Sequence, residues 1–223
     1  MKSRWQKEKE AVLKTAQEMA HKGLVTGTSG NVSLRLAPLD GRPILAITPT
    51  HKAYDTLSPD DIVVLDFDVD SVEGELAPSS ETLLHISVYK ARPDVGAILH
   101  THSTFATVLA VAGLEIPPII DEMAVFAGDT IKVCDYAFSG TEELAENATK
   151  ALGQNNAVIL RNHGMLGAGK TLEEALDMCL MVERGAQVLV HATLLGKVNP
   201  IPQEAQEAAK AIFDMRSQLE RPQ

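Results

Sequence analysis

The sequence predicts a layered α/β domain built on a mixed, largely antiparallel sheet. Helical and strand patterns alternate along all 223 residues without a long linker. Asp40-Gly41 joins two short apolar runs as a hairpin turn, which makes those neighbours antiparallel. A composition of 45% hydrophobic and 22% charged residues supports one sizeable core, most simply a single domain over residues 1–223.

Each element follows from local pattern. Trp5, Val12, Ala16, Met19 and Ala20 mark an amphipathic helix that stops at Gly23, the position of a left-handed cap. A glycine loop, Gly27-Thr28-Ser29-Gly30-Asn31, leads into Val32–Leu36, and after the hairpin turn comes Pro43–Thr48. Asp61–Asp66 is another strand. Glu81–Arg92 has helical periodicity and is stopped by Pro93. Ile98–Ser103 is an apolar strand, and Thr104–Ala112 a helix. A strand near Thr130–Val133, a helix over Thr141–Leu152 and an apolar strand at Ala157–Leu160 follow. Thr171-Leu172-Glu173-Glu174 is a capping box that opens a long helix to about Leu195, ended by Pro200-Ile201-Pro202. A last helix, within about 203–219 and starting near Glu204, is rich in alanine and charge and suits packing on a neighbouring subunit.

Charge and composition exclude whole classes of function. Twenty Lys and Arg against thirty Asp and Glu give a net charge of −10, which disfavours nucleic acid and anionic membrane partners. Small molecules or further copies of the chain remain. The N-terminus lacks an apolar signal region, and no apolar run approaches the roughly 20 residues of a membrane span, so a cytoplasmic location is expected. Cys134 and Cys179 are isolated in apolar surroundings and read as buried free thiols. Gly164-Met165-Leu166-Gly167-Ala168-Gly169-Lys170-Thr171 fits the spacing of a phosphate-binding P-loop. The mostly helical stretch after it offers no later strand ending in a magnesium-binding Asp. These glycines are therefore read as a tight connection out of the preceding strand, with Thr171 as N-cap and no nucleotide bound.

The chemistry concentrates in the histidines. His100 and His102 stand at i and i+2 of a strand, so both imidazoles face one side and can reach a single divalent ion. His163, just past the strand Ala157–Leu160, is a candidate third ligand, and three neutral imidazoles would leave zinc an open position. Co²⁺, Mn²⁺ or Fe²⁺ suit the same donors. His21, His51, His85 and His191 lack a partner at ligand spacing, and His85 and His191 read as ordinary surface or core residues of helices. His51 follows Thr48-Pro49-Thr50 in a loop and could face a substrate. Glu81 admits two readings: a favourable first-turn charge behind a Ser79 or Ser80 N-cap, or a carboxylate base beside a bound cation.

Five blocks in order, Gly27-Thr28-Ser29-Gly30-Asn31-Val32-Ser33, Thr48-Pro49-Thr50, Pro78-Ser79-Ser80-Glu81, His100-Thr101-His102 and Asn162-His163-Gly164, resemble the class II aldolase/adducin family, most of all its fuculose-phosphate type, over about residues 5–200. The resemblance implies an α/β/α sandwich assembled as a homotetramer with active sites at subunit boundaries. It implies His100, His102 and His163 as zinc ligands, with Glu81 as catalytic carboxylate and additional ligand. It implies Gly30, Asn31, Thr50, Ser79 and Ser80 as the residues that hold a sugar phosphate. The implied reaction cleaves a ketose 1-phosphate of fuculose, ribulose or 5-deoxyribulose type through a zinc-stabilised enediolate, giving dihydroxyacetone phosphate and an aldehyde. Other activities known at such a centre are pentulose-phosphate 4-epimerisation, methylthioribulose-phosphate dehydration and sugar-acid-phosphate decarboxylation. A metal-free interaction module like the adducin head is the alternative from another class. The chain departs from the fuculose-type pattern twice: His51 follows Thr50 where those members carry glycine, and Asp121 and Glu122 occupy the stretch that holds their proton-donating tyrosine.

Overall fold

The structure is a computed structural model that describes residues 3–219. Helix α1 (Gln6–His21) buries Val12, Leu13, Ala16 and Met19 and is followed by Gly23 at φ +74°. Strands β1 (Asn31–Leu39) and β2 (Arg42–Ile47) pair antiparallel through Asp40 and Gly41, both at positive φ, the backbone twist a tight hairpin requires. Strand β3 (Val63–Asp66) is shorter than the expected 61–66 stretch, because Pro59–Asp61 forms a single 3₁₀ turn closed by Ser58 and Asp61. A short strand, β4 (Ser71–Glu73), which the sequence pattern did not reveal, completes this edge.

The centre of the molecule is assembled next. Helix α2 (Thr82–Ala91) leads into β5 (Ala97–Thr101), and α3 (Thr104–Ala112) follows. Then come α4 (Asp121–Ala127), β6 (Val133–Cys134), α5 (Glu142–Leu152), β7 (Ala157–Leu160), β8 (Gly164–Gly169), α6 (Leu172–Leu194) and α7 (Gln203–Leu219). Among the described residues one eight-stranded sheet runs β4-β3-β2-β1-β5-β8-β7-β6, antiparallel except for the parallel β6–β7 pair. Its two faces carry separate apolar clusters. Leu99 packs with Val12 and Ala16 of α1, Leu109 of α3 and Val182 of α6, whereas Ile98 packs with Leu84 and Val88 of α2 and Leu144 and Ala148 of α5. The expected layering of helices on both faces of a largely antiparallel sheet is therefore what forms.

One expectation is corrected. Gly164–Gly169 is not a connection but a central strand, bonded to β5 on one side and β7 on the other. Its glycines hide the strand from a pattern of apolar side chains, and close packing explains them. A Cβ on Gly167 would come within 2.6 Å of Cys179 Sγ, and one on Gly169 within 2.6 Å of the Ala175 nitrogen, so α6 lies directly on this strand. Backbone groups committed to a sheet cannot cradle phosphate, which removes the P-loop resemblance. Thr171 does cap α6, accepting from Glu174 N at 3.2 Å.

Asp121 and Glu122 form the first turn of α4. The last helix lies against α4 of the same chain, with Phe213 buried and the Arg216 guanidinium 4.5 Å from the Phe126 ring centre. Cys134 and Cys179 are free and buried. No helix among the described residues is long and apolar enough to cross a membrane. Because Gly167 faces α6 with no room for a Cβ, Gly167→Ala should lower stability by about 1–3 kcal/mol, read as a lower urea-unfolding midpoint with an unchanged slope.

Candidate metal centre

Strand register brings the site together. β5 lies between β1 and β8, with Asn31 opposite His100 and His100 opposite Leu166. His100 shares the face of Ile98, the face that α2 covers, so its ring is aimed at the start of that helix. His102 lies just past the strand, anchored by its N–H to the Leu24 carbonyl at 3.1 Å. Glu183 of α6 fixes the next turn by accepting from the N–H groups of Phe105 and Ala106, both at 2.9 Å. His163 is presented by the β7–β8 turn, where Asn162 takes φ +57°. Gly164 permits the approach, since a Cβ there would meet the Thr101 carbonyl at 2.2 Å and the His102 ring at 3.0 Å.

Glu81 stands at the N-cap position of α2 but does not cap it. Ser79 does the local work: its hydroxyl accepts from Glu81 N at 3.2 Å and its carbonyl from Thr82 N at 3.1 Å. The Glu81 carboxylate turns inward instead. Oε2 is 2.9 Å from His100 Nε2, and Oε1 is 3.5 Å from His163 Nε2. His100 Nε2 is also 2.9 Å from His102 Nε2, and the three ring centres are 4.7–4.8 Å apart. All four donor atoms of Glu81, His100, His102 and His163 lie within 4.8 Å of one another.

This donor set fits a divalent ion. Zinc held tetrahedrally at 2.0–2.1 Å places its ligand atoms roughly 3.3 Å apart, close to the separations seen here. His100 Nδ1 donates to the Met165 carbonyl at 2.9 Å, which leaves Nε2 as the inward donor, the usual outer support of a metal-bound imidazole. Glu81 Oε1 is buried with no hydrogen-bond partner among the described residues. A single proton on His100 Nε2 can satisfy only one of its two close neighbours. A cation between the donors satisfies all of them.

Electrostatics point the same way. Burial alone would raise the Glu81 carboxyl, but His100, then His163 and the Asn31 amide, hold it below the usual carboxylate range. Burial also opposes charge on His100, yet Glu81 outweighs it and raises this ring. His102 and His163 are pushed down to about 4 by burial and by their neighbour His100. Both are neutral at physiological pH, as ligation requires.

The loops around this centre also converge. Gly30 takes φ +75°, and a Cβ on it would lie 2.5 Å from Val25 Cγ1 and 2.7 Å from the His100 carbonyl, so only glycine fits. Tyr54 pins this loop by donating to the Gly30 carbonyl at 2.6 Å. Asn31 is buried and donates from Nδ2 to Glu81 Oε2 at 3.3 Å. Thr50 N donates to the Ala77 carbonyl and Ser79 N to the Thr48 carbonyl, zipping the two loops together. Ser80 is exposed beside Gly140.

Several residues fall outside the centre. His21 and His191 are exposed, and His191 Nδ1 pairs with the Gln187 carbonyl of its own helix at 2.8 Å. Glu122 is half exposed and paired at 3.0 Å with Arg184, and Asp121 is exposed. His51 is exposed at φ +55°, a left-handed conformation in which glycine costs least. His85 is neither a surface residue nor an apolar core filler. It is fully buried, with Nδ1 2.7 Å from Ser33 Oγ and Nε2 2.5 Å from Asn31 Oδ1. The spacing of Glu81, His85 and Tyr89 puts them on one helical face, but nothing in the sequence shows that Asn31 and Ser33 of β1 lie opposite.

Comparison with known proteins agrees with this geometry. The family described as "Class II Aldolase and Adducin N-terminal domain" matches residues 10–190. The 5-deoxy-D-ribulose 1-phosphate aldolase of Bacillus thuringiensis serovar kurstaki is 32% identical over 209 residues, covering 94% of this chain and 96% of that protein. The L-fuculose phosphate aldolase of Escherichia coli strain K12 is 35% identical over 203 residues, covering 91% of each. A solved L-fuculose 1-phosphate aldolase superposes with a TM-score of 0.87 at 36% identity, covering 96% of this chain and 98% of that one.

Two outcomes are expected. His102→Ala should lose the bound metal, read by elemental analysis of protein dialysed against metal-free buffer. His51→Gly relieves about 1–2 kcal/mol of left-handed strain and gives back about 0.5–1 kcal/mol through the unfolded chain. A small rise in the unfolding midpoint should follow.

Proposed function

We infer the reaction from one premise: this chain belongs to the class II aldolase/adducin family, and its buried three-histidine, one-carboxylate cluster makes it a metal-dependent aldolase, a carbon–carbon lyase. The substrate we propose is a short ketose 1-phosphate of the fuculose, ribulose or 5-deoxyribulose type, cleaved to dihydroxyacetone phosphate and an aldehyde. Two similar proteins named for such substrates, each matched over more than nine-tenths of both chains, support this choice. The observation that carries the reading is the convergence of Glu81 and the three Nε2 atoms beside the loops of Gly30 and Ser79.

Zinc held by His100, His102, His163 and, before substrate enters, Glu81 would supply a Lewis acid for the charge that grows on the ketone oxygen. The residues of the chain do the rest. Cleavage breaks the C3–C4 bond of the ketose: the C4 hydroxyl gives up its proton as that carbon becomes an aldehyde, and the bonding pair passes toward the C2 carbonyl. Glu81, buried and ionised, is placed to hold the proton that C3 takes up to complete dihydroxyacetone phosphate, and to remove that proton in the reverse direction.

Gly30, Asn31, Thr50, Ser79 and Ser80 are proposed to hold the phosphate. The chemistry suits it: a glycine that admits close main-chain approach, an amide donor and hydroxyls, gathered on loops tied to each other by backbone hydrogen bonds. We further propose one domain, a cytoplasmic location and a homotetramer with sites at subunit boundaries. Val108, Val111 and Leu114, 45%, 63% and 50% exposed, place apolar surface along α3 and just beyond it, which suits such a contact.

Incubating the zinc-loaded protein with dihydroxyacetone phosphate and a panel of short aldehydes should give a ketose 1-phosphate, identified by mass and stereochemistry. No condensation with any aldehyde, but epimerised, dehydrated or decarboxylated sugar phosphates instead, would replace the aldolase reading. Glu81→Gln should keep its metal on the three histidines yet lose about 100-fold or more in kcat, compared by steady-state cleavage with metal content measured on the same sample.

A further inference from the structure

Behind Glu81 runs a continuous line of buried hydrogen bonds, and its polarity is fixed by chemistry. Glu81, His85 and Tyr89 stand at i, i+4 and i+8 on α2, while Asn31 and Ser33 stand at i and i+2 on β1, so the two faces meet. The contacts are Asn31 Nδ2 to Glu81 Oε2 at 3.3 Å, His85 Nε2 to Asn31 Oδ1 at 2.5 Å, Ser33 Oγ to His85 Nδ1 at 2.7 Å and Tyr89 to Ser33 at 2.8 Å. An ionised carboxylate only accepts, so Asn31 must present its NH₂ to Glu81 and its carbonyl oxygen to His85. That oxygen only accepts, so His85 must carry its proton on Nε2. In the neutral ring Nδ1 is then bare and accepts from the Ser33 hydroxyl, whose oxygen is left to accept from Tyr89, a hydroxyl that also lies 3.4 Å from the Gly96 carbonyl.

We propose that His85 is a positioning residue: held as the neutral Nε2–H tautomer by Ser33, it locks the Asn31 amide so that Nδ2 faces Glu81 and its second N–H stays free for a substrate oxyanion. The assignment rests on the phosphate role given to Asn31 above. Without His85, only the longer 3.3 Å contact to Glu81 would hold the amide in this orientation. The flipped amide would set a carbonyl oxygen against the Glu81 carboxylate and take away the donor. Burial, and to a lesser extent the neighbouring His100, push the His85 ring down to about 3 despite Glu81, which accords with a ring that stays neutral. The His85 ring is fully buried and is not one of the four grouped donors.

Two measurements decide it on the zinc-loaded protein. In ¹⁵N-histidine NMR at neutral pH, His85 should show a protonated Nε2 and a bare Nδ1. An Nδ1–H tautomer, or protons on both nitrogens, would overturn the positioning. Calorimetry with inorganic phosphate gives the second readout. His85→Gln keeps an N–H for Asn31 and should bind phosphate within about threefold of wild type. His85→Phe removes it and should bind about tenfold or more weakly, with zinc content unchanged. Equal weakening in both variants would assign His85 a packing role and overturn the proposal. Wild-type protein that binds no phosphate would overturn the phosphate cradle itself, whatever tautomer His85 shows.

Discussion

A carboxylate buried to 6% exposure against three imidazoles is the constraint that organises this molecule. Charge in such surroundings is costly unless paired and hydrogen-bonded. The fold answers from several directions. β5 delivers His100 and leads into His102, the β7–β8 turn delivers His163, the start of α2 delivers Glu81, and β1 delivers Asn31 to Oε2, the carboxylate oxygen that also faces His100. Remove the cation such a set is suited to hold and the protons available cannot satisfy every close contact around His100 Nε2.

Holding these groups within a few ångströms demands space elsewhere. Glycine at 30 lets its loop close on the His100 carbonyl, and glycine at 164 lets the third histidine approach His102. Glycines at 167 and 169 let α6 press on the strand beside β5, while Glu183 of that helix ties down the turn after His102. The backbone positions that look least informative in composition are thus the ones that set the distances at the centre. Precise placement of a few donors, rather than a large apolar pocket, is what a reaction through a stabilised oxyanion asks of a protein.

Much of this was legible before any coordinates. The His-x-His spacing on an apolar run pointed to two members of the four-residue cluster, and the Asp40-Gly41 hairpin identified the antiparallel start of the sheet. The Thr171 capping box located the long helix. What stayed hidden had physical reasons. β8 carries few apolar side chains because α6 occupies the space they would fill, so periodicity cannot find it. Helix α4 is seven residues long and begins with two acids, which read equally well as a turn. The role of Ser79 was half visible, since capping was expected of it, but that its hydroxyl would hold Glu81 N while the carboxylate turned inward depends on β5 lying alongside. His85 was invisible as a functional residue because its partners are 52 and 54 positions away in sequence. Only the crossing of α2 over β1 brings them together.

The central claim is that Glu81, His100, His102 and His163 form one divalent-metal site. Anomalous diffraction from crystals of protein purified without added chelator tests it most directly. A single strong peak is predicted about 2.0–2.2 Å from the three Nε2 atoms and one Glu81 oxygen. A peak bound elsewhere, or metal-replete crystals with no peak among these four side chains, would contradict it.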